Sequence, residues 1–158
     1  MVLKIILLLL AFVNVHASIM INTNIPLEEL NKMSANTIGE HLEIVFTEVG
    51  TDYICGTMPV DKRTKQPMGL LHGGASAVLA ESLGSIGSYL CVDPNTQACV
   101  GLSISCNHIR AAKEGFVTGK AILIHEGSKT HIWNIDIVND KGQLVCSSRL
   151  TVMVLDKK

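Results

Sequence analysis

The stretch Gly73-Gly74-Ala75-Ser76-Ala77-Val78-Leu79-Ala80-Glu81-Ser82-Leu83-Gly84-Ser85-Ile86-Gly87-Ser88-Tyr89-Leu90-Cys91 decides the fold. It is rich in Ala, Leu and Ser, contains no proline and is closed by Asp93-Pro94-Asn95. It therefore reads as the one long helix of the chain. Val78, Leu79, Leu83, Ile86 and Leu90 supply a buried stripe. Glu81, Ser85 and Ser88 fall at i, i+4 and i+7 and form a polar stripe beside it. Gly84 and Gly87 are unusual inside a helix, where each costs about 1 kcal/mol relative to alanine. Close approach by the sheet, or by a partner's backbone, is the expected compensation.

Everything after this helix alternates. Residues 98–108, 116–125, 130–138 and 143–154 are four strand candidates, punctuated by Gly115, Gly127-Ser128 and Asp140-Lys141-Gly142. In the last, Leu144, Cys146, Ser148, Leu150, Val152 and Val154 share one face. The connections are too short for crossover helices, so these strands are antiparallel. Before the helix, residues 42–49 and 52–60 are strand-like across Gly50-Thr51-Asp52, and Asp61 to Met68 is polar loop. Pro26-Leu27-Glu28-Glu29-Leu30 reads as a short helix opened by proline at its first position. The expected architecture is α+β: one long helix packed on a strongly bent antiparallel sheet of about six strands.

The 158 residues, with 47% apolar and 17% charged, suit one domain and exclude a disordered chain. A net charge of -1 with no basic run argues against nucleic acid or a polybasic membrane surface as partner. Residues 1–20 stand apart. Lys4 precedes an apolar run from Ile5 to Val13, and Val15-His16-Ala17 has the small residues of a cleavage site. The run is too short for a bilayer. It reads either as a signal peptide, which would export the protein, or as an upstream start with the working chain beginning at Met20 or Met33. The domain proper is 21–158. Five cysteines cannot all pair within one chain, form no CxxC and match no zinc spacing; buried free thiols in a reducing compartment are the simpler reading.

The chemistry concentrates where loop meets helix, at Leu70-Leu71-His72-Gly73-Gly74-Ala75. First-turn N–H groups lack internal partners and the helix dipole favours negative charge there. This is a plausible oxyanion hole, and equally a plain turn. Glu81 is a carboxylate among residues suited to burial, which is uncommon unless paired or functional. It lies eight residues beyond Gly73, about 12 Å along a helix axis. His72 and Glu81 point to nearly opposite faces. A single chain could not easily focus both on one carbon, so a shared site would lie between two chains. His108 and Arg110 read as a solvated strand end, Gly127-Ser128-Lys129 as a hairpin turn, and His41, His125 and His131 as core or surface histidines.

The run Thr64-Lys65-Gln66-Pro67-Met68-Gly69-Leu70-Leu71-His72-Gly73-Gly74-Ala75-Ser76, with Val78-Leu79-Ala80-Glu81-Ser82, resembles the hotdog-fold acyl-CoA thioesterases. The likeness is strongest to the PaaI-like branch that includes 4-hydroxybenzoyl-CoA, 1,4-dihydroxy-2-naphthoyl-CoA and enterobactin-pathway proofreading thioesterases. It extends through Asn107-His108-Ile109-Arg110 to Cys146-Ser147-Ser148-Arg149-Leu150-Thr151, covering roughly Pro26 to Leu155. The resemblance implies a helix wrapped by an antiparallel sheet, pairing into a homodimer and commonly into a dimer of dimers. It implies hydrolysis of an acyl-CoA, aromatic or naphthoyl, in menaquinone-type biosynthesis, and a cytoplasmic protein. Gln66 would hold thioester and water, His72 would orient, Gly73 would donate its N–H to the thioester oxygen, Glu81 would be nucleophile or base, and Ser85 would place water. His108 and Arg110 would meet the coenzyme A phosphates, and Gly127, Ser128 and Lys129 the pantetheine or nucleotide. No metal or redox cofactor is implied, since coenzyme A is part of the substrate. The rival readings are an acyl-CoA hydratase or dehydratase of the same fold, against which stands the lack of an Asp in this loop or helix, and a non-catalytic acyl-CoA-binding protein.

Overall fold

Local sequence sets the entry to the fold. A computed structural model describes residues 21–158; the expectations for the leader fall outside the described residues. Helix α1, Leu27–Lys32, starts after Pro26, which occupies the cap rather than the first helical position. Glu28 and Glu29 in its first turn and Lys32 in its last suit the helix dipole. A single turn, α2 (Ile38–His41), follows, capped by the Thr37 hydroxyl accepting from Gly39 N–H at 3.1 Å. The sequence pattern opens the first strand at 42. The structure opens it at Val45, because Glu43 sits at φ 52° and interrupts the extended run.

The strands are β1 (Val45–Val49), β2 (Tyr53–Pro59), β3 (Gln97–His108), β4 (Phe116–Glu126), β5 (Thr130–Asn139) and β6 (Leu144–Asp156), with helix α3 (Gly73–Tyr89) between β2 and β3. They form one sheet in the order β1-β2-β4-β5-β6-β3, antiparallel at every junction. The sheet wraps α3. This is the expected α+β hotdog architecture.

The core lies between α3 and the concave face, where Leu79, Ala80 and Leu83 pack among Ile54, Met58, Val117, Trp133, Ile135 and Leu150. The polar stripe is corrected at one position. Ser88 is fully buried, and its hydroxyl accepts the Trp133 indole N–H at 2.8 Å. Trp133 also explains the helix glycines. A Cβ at Gly87 would lie 2.5 Å from the ring's Cη2, and one at Gly84 2.5 Å from a Leu150 methyl. Side chains of the sheet, not a partner's backbone, take the space.

The two sheet edges differ. Along β1, the Asn31 amide from α1 donates to Phe46 C=O at 2.9 Å and accepts from Phe46 N–H at 2.8 Å. A bulge follows between Phe46 and Glu48, and both features blunt the edge against pairing. Edge β3 runs for twelve residues with Val100, Leu102 and Ile104 exposed. All five cysteines are free thiols, with Cys55 and Cys146 buried. His131 is a core histidine on the concave face beside Trp133, and its Nδ1 has no partner among the described residues. No helix among the described residues is long and apolar enough to cross a membrane.

Candidate active site

The loop 61–71 is held before it presents anything. Thr64, 1% exposed, donates its hydroxyl to Pro59 C=O at 2.8 Å and accepts from Asp61 N–H at 3.0 Å. Its carbonyl takes the His72 N–H at 2.8 Å. Arg63 pairs with both Asp61 and Glu43, and the Arg63 hydrogen bonds hold the Asp61 carboxyl down at about 2. Gly69, at φ 77°, makes the turn that a side chain would strain. Neither Thr64 nor this ion triad carries a recognisable signal in the sequence.

His72 then caps α3 through its side chain. Nδ1 accepts from Gly74 N–H at 2.8 Å. A neutral imidazole that accepts at Nδ1 carries its proton on Nε2, so His72 offers a donor outward. Of the other first-turn amides, Ala75 and Ser76 donate to His72 C=O at 2.9 and 3.2 Å. The Gly73 N–H has no acceptor among the described residues. One unsatisfied donor at a helix start is a ready seat for a developing oxyanion.

A cavity of about 280 Å³ opens at this point, lined by Gln66, Gly73, Ser76, His108, Ile109 and Arg110, among others. The structure thus brings together Gln66, Gly73, His108 and Arg110, with His72 adjacent in the chain. The Gln66 Oε1 accepts from Met68 N–H, leaving its amide N–H₂ free to donate. His108 lies against the helix start: a Cβ at Gly73 would fall 2.6 Å from its Nε2.

Glu81 is elsewhere. It does not line this cavity but turns toward β3, where a Cβ at Gly101 would lie 2.0 Å from its Oε1. Ser85 donates to the same Oε1 at 3.4 Å. Burial pushes the Glu81 carboxyl up from its ordinary value, against a smaller opposing effect from Ser85. A carboxylate so placed is more basic than one in water. Gly127, Ser128 and Lys129 form the β4–β5 hairpin beyond the far end of the sheet, with the Lys129 ammonium on Asp156 at 2.7 Å. Among the described residues no group of three His, Cys, Asp or Glu could hold a metal ion.

Comparison with known proteins gives consistent findings. Residues 68–146 match the Thioesterase superfamily. The chain is 52% identical to the 1,4-dihydroxy-2-naphthoyl-CoA hydrolase of Escherichia coli, over 83% of this chain and 96% of that protein. It is 47% identical to a proofreading thioesterase of Cronobacter sakazakii, over 84% and 96%. The crystal structure of a mutant thioesterase from Pseudomonas aeruginosa superposes with TM-score 0.85 at 46% identity, covering 87% of this chain and 99% of that one.

Proposed function

Because the chain belongs to the thioesterase superfamily of hotdog fold, we propose that it hydrolyses an aromatic, naphthoyl-type acyl-CoA at a site completed by a second copy of itself. Thioester hydrolysis of an acyl-CoA is the activity the family membership carries. The naphthoyl group rests on the likeness to the Escherichia coli hydrolase. The observation that carries the mechanism is the Gly73 N–H, without an acceptor among the described residues, following directly on His72, whose Nδ1 takes the Gly74 N–H.

The thioester oxygen sits against Gly73 N–H, and His72 supplies the second donor. Both interactions strengthen as the carbonyl oxygen gains charge, so they raise turnover more than binding. Glu81 attacks the carbonyl carbon, or draws a proton from the water that does, with Ser85 beside it. Gln66 holds the reacting groups. The acyl carbon gains oxygen from water, the C–S bond breaks, and coenzyme A leaves as the thiol. His108 and Arg110 hold the phosphate-bearing end, reached also by Gly127, Ser128 and Lys129 of the other chain.

Two observations support the shared site. Within one chain, the seats of the two halves, Gly101 under Glu81 and His108 against Gly73, are seven strand positions apart, about 23 Å along β3. In addition, β3 is the longer sheet edge, twelve residues against five in β1, with Leu102 55% exposed and Val100 45%. Two antiparallel β3 strands centred between Ile104 and Ser105 place Gly101 of one chain opposite His108 of the other. Glu81 then faces the partner's Gly73. A further pairing into a dimer of dimers in the cytoplasm, acting in menaquinone-type synthesis, completes the reading.

The test is hydrolysis of 1,4-dihydroxy-2-naphthoyl-CoA, benzoyl-CoA and a straight-chain acyl-CoA, with free-thiol detection. The naphthoyl thioester is expected to give the highest kcat/KM. Glu81→Gln is expected to lower kcat at least about 100-fold with folding intact. Inactive Glu81→Gln and His72→Ala chains, unfolded and refolded together, are expected to recover activity. Heterodimers that form yet stay inactive refute the shared site.

A further inference from the structure

Gly101 is a glycine in the middle of a strand, where a side chain is ordinarily worth having. Its φ lies outside the left-handed region, so the backbone conformation there admits alanine. What excludes a side chain is space: the nearest atoms to a Cβ at 101 are Glu81 Oε1 at 2.0 Å, Cδ at 3.1 Å and Oε2 at 3.7 Å. All three of these nearest atoms belong to the one carboxylate. The register of β3 breaks at the same place. Gly101 pairs with Val152 and Ser103 with Thr151, leaving Leu102 as an extra residue on the edge strand. A bulge re-aims the residues beside it and sharpens the local twist.

We infer that Gly101, with the Leu102 bulge, is a positioning device for Glu81: a backbone seat without a Cβ, in which the carboxylate rests at the depth the reaction needs. The inference rests on the reading of Glu81 as the catalytic carboxylate and assigns the part of the molecule that holds it. The geometry also gives the device a particular signature. The colliding atom is the far end of a flexible side chain, so a methyl at 101 can be accommodated cheaply by rotating Glu81 away. Stability survives and aim does not. A displacement of an ångström at a reacting group is enough to cost on the order of 100-fold in rate.

The experiment compares wild type with Gly101→Ala, Glu81→Asp, Glu81→Gln and the Gly101→Ala/Glu81→Asp pair, reading kcat, KM, dimer mass and melting temperature. Gly101→Ala is expected to lower kcat about 10- to 100-fold with KM, mass and melting temperature near wild type. Aspartate is one methylene shorter and leaves room for the methyl. The double variant is therefore expected to be no slower than Glu81→Asp alone, a coupling that separate actions would not show. Wild-type kcat in Gly101→Ala overturns the seat while leaving Glu81 catalytic. So does a double variant in which the two losses multiply. Full activity in Glu81→Gln overturns the underlying reading and the seat with it. Should Gly101→Ala fold or pair poorly, the same change in a Glu81→Ala background decides. Recovery of folding there ties the glycine to the carboxylate; failure in both backgrounds overturns the inference.

Discussion

Gly87→Ala in α3 sets two known effects against each other. Replacing an interior helical glycine with alanine gains about 1 kcal/mol from propensity. Here the added Cβ would lie 2.5 Å from Trp133 Cη2, 2.8 Å from Cζ2 and 3.1 Å from Cζ3. The indole has little room to yield: it is fully buried and tied by its N–H to Ser88. Overpacking of this kind costs about 1–3 kcal/mol. The clash should win, leaving a net loss of about 1 kcal/mol and a melting temperature lower by about 3 °C for a domain of this size. Denaturant melts at fixed protein concentration measure it. The decisive comparison is the same substitution in a Trp133→Leu background. With the ring gone, only the propensity gain remains, and Gly87→Ala is expected to stabilise by up to about 1 kcal/mol. A substitution that stabilises the wild type, or keeps one sign in both backgrounds, would falsify the account of why α3 carries its glycines.

Other expectations follow from the same structure. Arg110→Ala should raise KM with little change in kcat, the mark of lost uniform binding, and should matter much less with a pantetheine thioester lacking the nucleotide; equal damage with both removes Arg110 from the phosphates. Burial, helped by His125, holds His131 below the 6.5 of an ordinary histidine. Between those two values the unfolded chain carries more protons, so stability is full above 6.5 and falls as pH drops toward the folded value; His131→Phe should flatten unfolding free energy across that window, and an unchanged slope places the titration elsewhere. A chain starting at Met20 should fold and work normally, since it keeps Ile21 and Leu30, which are 3% and 0% exposed. One starting at Met33 loses both, along with Asn31, and should aggregate; a monodisperse, active product from Met33 contradicts the roles given to α1.

How much of this was visible in the chain depends on the range of the interaction. Helix α3 and strands β3 to β6 are legible because apolar alternation and the glycine, asparagine and aspartate punctuation are local signals; the observed bounds differ from the expected ones by two residues at most. The start of β1 is not, because Leu42-Glu43-Ile44-Val45 alternates like a strand while Glu43 takes a positive φ that no alternation encodes. Ser88 falls in register with Glu81 and Ser85 and so reads as surface. Its partner Trp133 is 45 residues away, and only the packed sheet reveals it. In the site, helical counting alone separates Glu81 from His72. Thr64 and Gly101 escape that reading, because one acts through loop hydrogen bonds and the other through what it lacks beneath a distant side chain.

The Asn31 amide has a consequence at the scale of assemblies. A sheet edge behaves like a reactive end group: each open edge can couple once to another strand. The side-chain amide copies the donor and acceptor of a peptide and occupies one end of the sheet at Phe46, while β3 leaves the other end available. In the language of polymer growth, the proposed β3 pairing would make the chain monofunctional along its sheet direction. Monofunctional units couple pairwise and terminate, whereas bifunctional ones propagate into ribbons. Under the proposed pairing, one asparagine in a six-residue helix would set the stoichiometry at which edge pairing stops.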